Sequence, residues 1–351
     1  MREGDPLAWP TGATARVRKA LKRGALLVAA NWPVVAIQFA AESSFKLLLA
    51  IPIVGGLSLV ALALGADLAE LLDSEWRDLL GLTAGALRSH PVTLASFALA
   101  FAIVLIGGSA LMFLVKGGTV GVLVESERLT GPLERPPLRF AGFWRASHVS
   151  IETFLDGCRR LFGRYLVLGF ALLGVYALSG GLFLAAVFAG YRLVGEEGFL
   201  FGWTVLAALA STALVAWITL INLVYLLTQM VVASDDCTVG SALRRVGRFV
   251  TSRAVEVGVV FGFLLALVAL ATIASVVVAA SLGLISFIPL VGLAVLPLQA
   301  VAWLLRGLVF QYVGLTALSA YLALYRMAGS GTAGPWAADD LPRVPPVGRT
   351  A

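Results

Sequence analysis

Glu42 and Lys46 stand four positions apart inside an otherwise apolar run, a spacing that puts a carboxylate and an ammonium on one helix face. Counted from Pro33 at about 1.5 Å per residue, they fall near mid-bilayer. Ionisable groups at that depth are expensive, so they are functional candidates. The chemistry open to them is a local ion pair, a proton or ion relay, or an electrostatic contact to another helix. Arg306 in the last apolar run is the third buried-charge candidate. Its position 20 residues before Arg326 also fits a side chain snorkelling at the outer interface. Lys116 lies within reach of the inner interface and reads as an anchor.

Other residue patterns give less. His148 and Glu152 are four apart without the rest of an HExxH pair, and His90 precedes Pro91 at a helix start. No GxSxG, Walker A or metal-ligand spacing is present, and Gly117, Gly118 and Gly121 follow no strand and make no phosphate loop. Asp235 and Asp236, ahead of Thr238, read as a turn and an N-cap for a helix starting near Val239, and only secondarily as a carboxylate pair for acid–base work. Cys158 and Cys237 lack CxxC or histidine spacing and read as reduced, structural thiols. Gln38, Asn222, Gln229, Gln299 and Gln311 are positioned to bond across helices or to line a cavity. Gly258 and Gly262, and Gly198 and Gly202, form GxxxG pairs that argue for close packing. No catalytic residue, cofactor or metal is assigned.

These residues must be held by helices in lipid. Of 351 residues 60% are hydrophobic and 13% charged, against about a quarter charged in a soluble domain. A soluble globular fold is excluded. The formal charge of +6 does not point to nucleic acid, because the basic residues flank apolar runs rather than form a basic domain. Those runs are 33–65, 92–124, 165–193, 199–232, 254–285 and 287–326, which predicts six spans in an all-α, polytopic membrane helical bundle.

Orientation follows from the basic residues. Segments 1–24, 125–164, 233–253 and 326–351 hold 20 of the 26 Lys and Arg, while the alternate face holds only Arg77, Arg88 and Arg192. The positive-inside rule then puts both termini in the cytoplasm of a cell (inner) membrane. Asp67, Glu70, Asp73, Glu75, Asp78, Glu196 and Glu197 fall on the outer side. A seven-span reading that cuts the first run at Glu42–Lys46 moves the acidic loop inside and is rejected. The basic N-terminus reads as retained, because the apolar stretch from Gly24 exceeds a signal-peptide core and lacks a clear cleavage site.

Several runs exceed the length needed to cross. The surplus segments 53–66 and 282–305 share Ile-Pro-[Ile/Leu]-Val-Gly at 51–55 and 288–292 and predict tilted or re-entrant structure. Residues 67–88 read as an acidic helix on the outer side, 130–139 as a loop, and 328–351 as a disordered cytoplasmic tail.

Ahead of the odd-numbered spans lies a basic helical segment. Arg159-Arg160-Leu161-Phe162-Gly163-Arg164-Tyr165 parallels Arg244-Arg245-Val246-Gly247-Arg248-Phe249, and Ala20-Leu21-Lys22-Arg23 parallels Ala242-Leu243-Arg244-Arg245. In the middle copy Ile151, Phe154, Leu155, Cys158, Leu161 and Phe162 form one apolar stripe. The residues 1–327 thus read as a single membrane domain with a threefold internal repeat, units about 14–125, 149–232 and 239–326, each led by an amphipathic interfacial helix. Lys22, Arg23, Arg159, Arg160, Arg164, Arg244, Arg245 and Arg248 are candidate contacts to lipid headgroups, with anionic membrane lipids as the expected partner.

The stretch Leu226-Leu227-Thr228-Gln229-Met230-Val231-Val232-Ala233-Ser234-Asp235-Asp236, followed by residues 238–248, resembles bacterial six-span proteins grouped with the membrane domain of glycerophosphoryl diester phosphodiesterases. Residues 156–165 share the likeness. In that family hydrolysis belongs to an attached soluble barrel, for which this chain has no segment, so the resemblance implies a stand-alone membrane domain and carries over no catalytic residue. The leading expectation is a non-enzymatic protein acting as accessory or scaffold to lipid, envelope or transport processes. The rivals are a small-solute or ion transporter using Glu42, Lys46 and Arg306, and a lipid-processing enzyme, which needs polar groups clustered at headgroup depth.

Overall fold

The computed structural model describes residues 11–64, 91–130, 147, 150–194, 200–286 and 291–330. Among these there are eight helices: α1 Thr11–Ala30, α2 Trp32–Leu64, α3 Pro91–Leu129, α4 Ile151–Val194, α5 Leu200–Asp235, α6 Val239–Ser252, α7 Ala254–Ser286 and α8 Val291–Ser330. The described residues contain no strand, and the fold is all-helical. Six helices, α2 to α5 with α7 and α8, are long and apolar enough to cross a membrane. The outer acidic helix expected over 67–88, His148 and all but the first residue of the 130–139 loop lie outside the described residues.

The spans are longer than a bilayer requires. At 33 residues for α2 and 44 for α4, they run about 50 to 66 Å against a hydrocarbon core of about 30 Å. The described residues of the surplus segments are helical. Residues 53–64 continue α2 and 291–305 open α8, with Pro52 and Pro297 inside the respective helices. α8 also runs to Ser330, a short way into the expected tail.

The leading basic segments differ in how they join their spans. α1 breaks from α2 at Asn31, just ahead of Pro33, which has no N–H to continue the ladder. The Asn31 side-chain amide donates to the Leu27 carbonyl at 2.9 Å, which also takes the Asn31 backbone N–H, and to Ser126 Oγ on α3 at 3.0 Å, anchoring the break. α6 breaks from α7 at Arg253, whose N–H bonds to the Phe249 carbonyl. The middle segment does not break. It has no proline or turn residue of this kind, and residues 151–194 form one helix, so the separate second interfacial helix expected from the repeat is the first part of α4. Its stripe is also rotated: Ile151 is 80% exposed and Leu155 exposed, while Gly157, Cys158, Leu161 and Tyr165 are buried.

Each leading segment packs on a long helix other than the span that follows it: α1 on α8, the start of α4 on α3, and α6 on α5. Two of these contacts depend on missing side chains. A Cβ on Gly24 would lie 2.7 Å from the Ala320 backbone nitrogen, and one on Gly157 would lie 2.9 Å from the Gly117 carbonyl and 3.1 Å from Gly118 Cα. Glycine is what allows the backbones this close. The GxxxG pair Gly258 and Gly262 does no such work, since a Cβ at either would meet nothing within 4 Å. The core lies around these contacts. Val17 and Ala20, Val120 and Leu123, Leu161 and Tyr165, Met230, Val246 and Tyr321 are all buried there. Away from it, the most apolar stretches of α3, α4 and α5 bury none of their residues.

Candidate functional site

Glu42 and Lys46 pair as their spacing predicts, with Lys46 Nζ 2.6 Å from Glu42 Oε1. The other carboxylate oxygen, Oε2, accepts from the Gln311 amide on α8. Close approach of the two helices makes this possible, Gly307 facing the Phe39 ring where a larger residue would collide. Arg306 lies five residues before Gln311 and lines the same cavity as Glu42, Ser43, Lys46, Thr272 and Gln311, of about 520 Å³. The three candidates from the sequence are therefore brought together by α2 and α8, helices more than two hundred residues apart in the chain. Glu42 is partly buried, whereas the side chains of Lys46 and Arg306 are mostly exposed at the cavity mouth.

Arg306 is set beside Glu42 by α8, and its guanidinium stands 5.8 Å from the Phe310 ring centroid. Among the described residues it closes no ion pair. Lys116, read as an interfacial anchor, is turned inward: its ammonium is 5.2 Å from the Tyr225 ring centroid and within electrostatic reach of Glu42. Cations therefore outnumber carboxylates around the cavity.

A second cavity, of about 410 Å³, runs between α7 and α8 and shares Trp303, Arg306 and Phe310 with the first. Its α7 wall is mostly small and apolar, Ala271, Ala274, Val278 and Ala279, ending at Leu282 near Gln299 of α8. Nothing in the periodicity of these runs marks the groove, because its walls are ordinary span residues. The high proportion of alanine at one-turn spacing on α7 is the signal that sequence reading passed over.

The end of the bundle that carries α1 and α6, here the basic end, holds the remaining charges in a different way. Arg23 grips Glu127 with Nε 2.8 and 2.9 Å from its two oxygens and donates to the Thr130 carbonyl at 2.9 Å. Their side chains are 13% and 5% exposed. Glu256 is buried between Arg16 at 2.5 Å and Arg253 at 3.0 Å. Asp235 accepts from Arg245 at 2.7 Å and from the Tyr325 hydroxyl at 2.8 Å, and that hydrogen bond holds the Arg245 guanidinium above its ordinary pKa. Asp236, at φ 50° in the left-handed region that aspartate tolerates, turns instead to Arg164 at 2.5 Å. Asp235 and Asp236 thus diverge onto separate arginines.

Of the eight basic residues expected to meet headgroups, Arg23, Arg164 and Arg245 are engaged with carboxylates of the chain itself, while Lys22, Arg159, Arg160, Arg244 and Arg248 have exposed side chains. The N-cap expectation holds for position only: Thr238 precedes α6, but its hydroxyl bonds Ser241 Oγ and caps no backbone N–H. The amides named from sequence separate similarly. Gln38 accepts from Thr119 at 3.0 Å, and Asn222 accepts from the Tyr176 hydroxyl at 2.5 Å. Gln229 takes the Tyr165 hydroxyl on its backbone carbonyl, leaving its own side-chain Nε2 buried without a partner. Cys158 is buried, Cys237 partly so, and both are free thiols. No group of three His, Cys, Asp or Glu close enough to hold a metal occurs among the described residues.

No family model, no curated protein and no solved structure matches the chain.

Proposed function

We propose that this chain is a multi-pass protein of a bacterial inner membrane that binds and moves a small solute or ion through the cavity shared by Glu42, Lys46 and Arg306. The observation that carries it is the convergence of these three charges, with Gln311, on one cavity between α2 and α8. Charged groups facing an internal space at the junction of repeats are the arrangement expected of a transporter. The repeat belongs to the proposal, supported by the recurring packing of each leading segment on a long helix other than the span that follows it. So does an interfacial position for α1 and α6 at the cytoplasmic face, supported by Ala242, Val246 and Phe249 buried on one side of α6 and Leu243, Arg244 and Arg248 exposed on the other. Exposed arginines there suit anionic lipid headgroups.

In proteoliposomes carrying entrapped pH- and chloride-sensitive dyes, the parent protein is expected to conduct protons, chloride or acetate, and Glu42→Gln to abolish the flux without loss of fold. Unchanged flux in the variant, or none in the parent, overturns the transporter reading and returns the role to an accessory or scaffold. Orientation is tested separately. Single cysteines at Ser74 and Gly329, with both native cysteines replaced, are expected to label from opposite faces of the membrane; same-face labelling refutes six spans.

A further inference from the structure

We infer that the solute is a single-chain acidic amphiphile, a long-chain fatty carboxylate, with its head at Arg306 and its chain in the groove between α7 and α8. This rests on the transporter reading of the cavity. The argument begins with charge. Both oxygens of Glu42 are engaged, one by Lys46 and the other by Gln311, so that pair is closed. Arg306 is left with a planar fork of donors and no carboxylate among the described residues, at the wall of a cavity it shares with the closed Glu42–Lys46 pair. A guanidinium left unmatched within an apolar helix calls for an anion, and its fork suits the two oxygens of a carboxylate.

The shape of the second cavity supplies the rest of the ligand. The polar cavity and the groove share the same three side chains, Trp303, Arg306 and Phe310, so a molecule held at Arg306 leads directly into the groove. From Ala271 to Leu282 the groove follows α7 for about 16 Å, about half the hydrocarbon core and so the reach of one leaflet's chain. Ala271, Ala274 and Ala279 leave the room for a chain, and among the described residues this groove shares Arg306 with the polar cavity. A two-chain phospholipid would leave one chain unhoused. Lys46 and Arg306 are exposed at the mouth, so entry is sideways from the bilayer and needs no water-filled path. The head also lies where the buried core gives way to exposed apolar helix, with the chain running toward the exposed part.

The test is native mass spectrometry of the full chain in detergent, titrated with palmitate, hexadecanol and dioleoyl phosphatidylglycerol. One palmitate per chain is expected, bound about tenfold to a hundredfold more tightly than hexadecanol, the range for a hydrogen bond to a charged group. Arg306→Gln is expected to remove that preference while leaving hexadecanol unchanged, Arg306→Lys to keep part of it, and Ala274→Trp to block palmitate by filling the groove. Melting temperatures of the variants within a few degrees of the parent establish that they fold. Equal binding of acid and alcohol, an unaffected Arg306→Gln, or displacement of palmitate by an equal concentration of the phospholipid overturns the inference. Chloride or acetate flux that depends on Glu42, with no palmitate bound, overturns it while the transporter reading stands; palmitate bound without any flux overturns transport and with it the assignment of palmitate as the solute.

Discussion

At the basic end Glu127, Glu256 and Asp235 are each enclosed by arginines and packed side chains, whereas farther along the same helices Leu, Ile and Phe side chains on α3, α4, α5 and α7 are exposed. α5 shows the contrast within one element: Leu227, Met230, Val231 and Val232 are fully buried, but Leu206, Leu209, Val215 and Leu220 are exposed. The difference teaches where this protein spends its specificity. One end is held by glycine contacts and ion pairs that water would weaken, and the other leaves its apolar faces to a surrounding that must itself be apolar. Glu42, Lys46 and Arg306 stand at the boundary, which is why a polar cavity and an apolar groove meet there.

The comparison can be broken at its strongest point first. Glu127→Leu strands Arg23 in the packed end without its carboxylate, and loss of one partner of a buried pair costs about 3–5 kcal/mol. Thermal unfolding in detergent is expected to show the largest drop of any single change, and a drop no greater than that of Asp236→Asn would mean that the basic end is not held by these pairs. Asp236 pairs with Arg164 at the surface, where a pair contributes about 0.2–1 kcal/mol.

Backbone contact gives the next effect. Gly157→Val pushes a side chain into Gly117 and Gly118 and is expected to cost about 1–3 kcal/mol, as overpacking does. Gly258→Val, where a Cβ meets nothing, is expected to leave the melting temperature nearly unmoved. Equal effects at the two glycines would erase the distinction between a packed and an open region.

The sharpest comparison pairs two leucines. Leu322→Ala in the buried core is expected to lose about 2–5 kcal/mol, while Leu182→Ala, on the exposed face of α4, is expected to stay within about 0.5 kcal/mol in detergent. A substantial loss at Leu182 would show that the exposed faces are covered by protein in the assembled state.

Span positions were legible because each apolar run has to satisfy its backbone within one helix, and the limits 254–285 and 254–286 differ by a single residue. The Glu42–Lys46 pair was legible for a similar reason, being local to one turn. The uninterrupted join at residues 151–165 was not, because two resembling basic segments differ only in whether a local residue such as Pro33 breaks the ladder. The rotated stripe on α4 was missed because which face is buried depends on Gly117, Gly118 and Gly121 of another helix.

By itself, then, the sequence determined the helical class, the number of long apolar helices and the local pairing of Glu42 with Lys46, all consequences of interactions within a few residues. Only tertiary structure decided that Gln311 bonds that pair and Arg306 lines the same cavity, that Arg23 and Arg245 are committed to Glu127 and Asp235, and that Gly157 rather than Gly258 marks a close contact. The physical reason is that a charge or a glycine in a long apolar helix carries no record of which neighbour it faces. That is settled by how α2, α3, α4 and α8 cross.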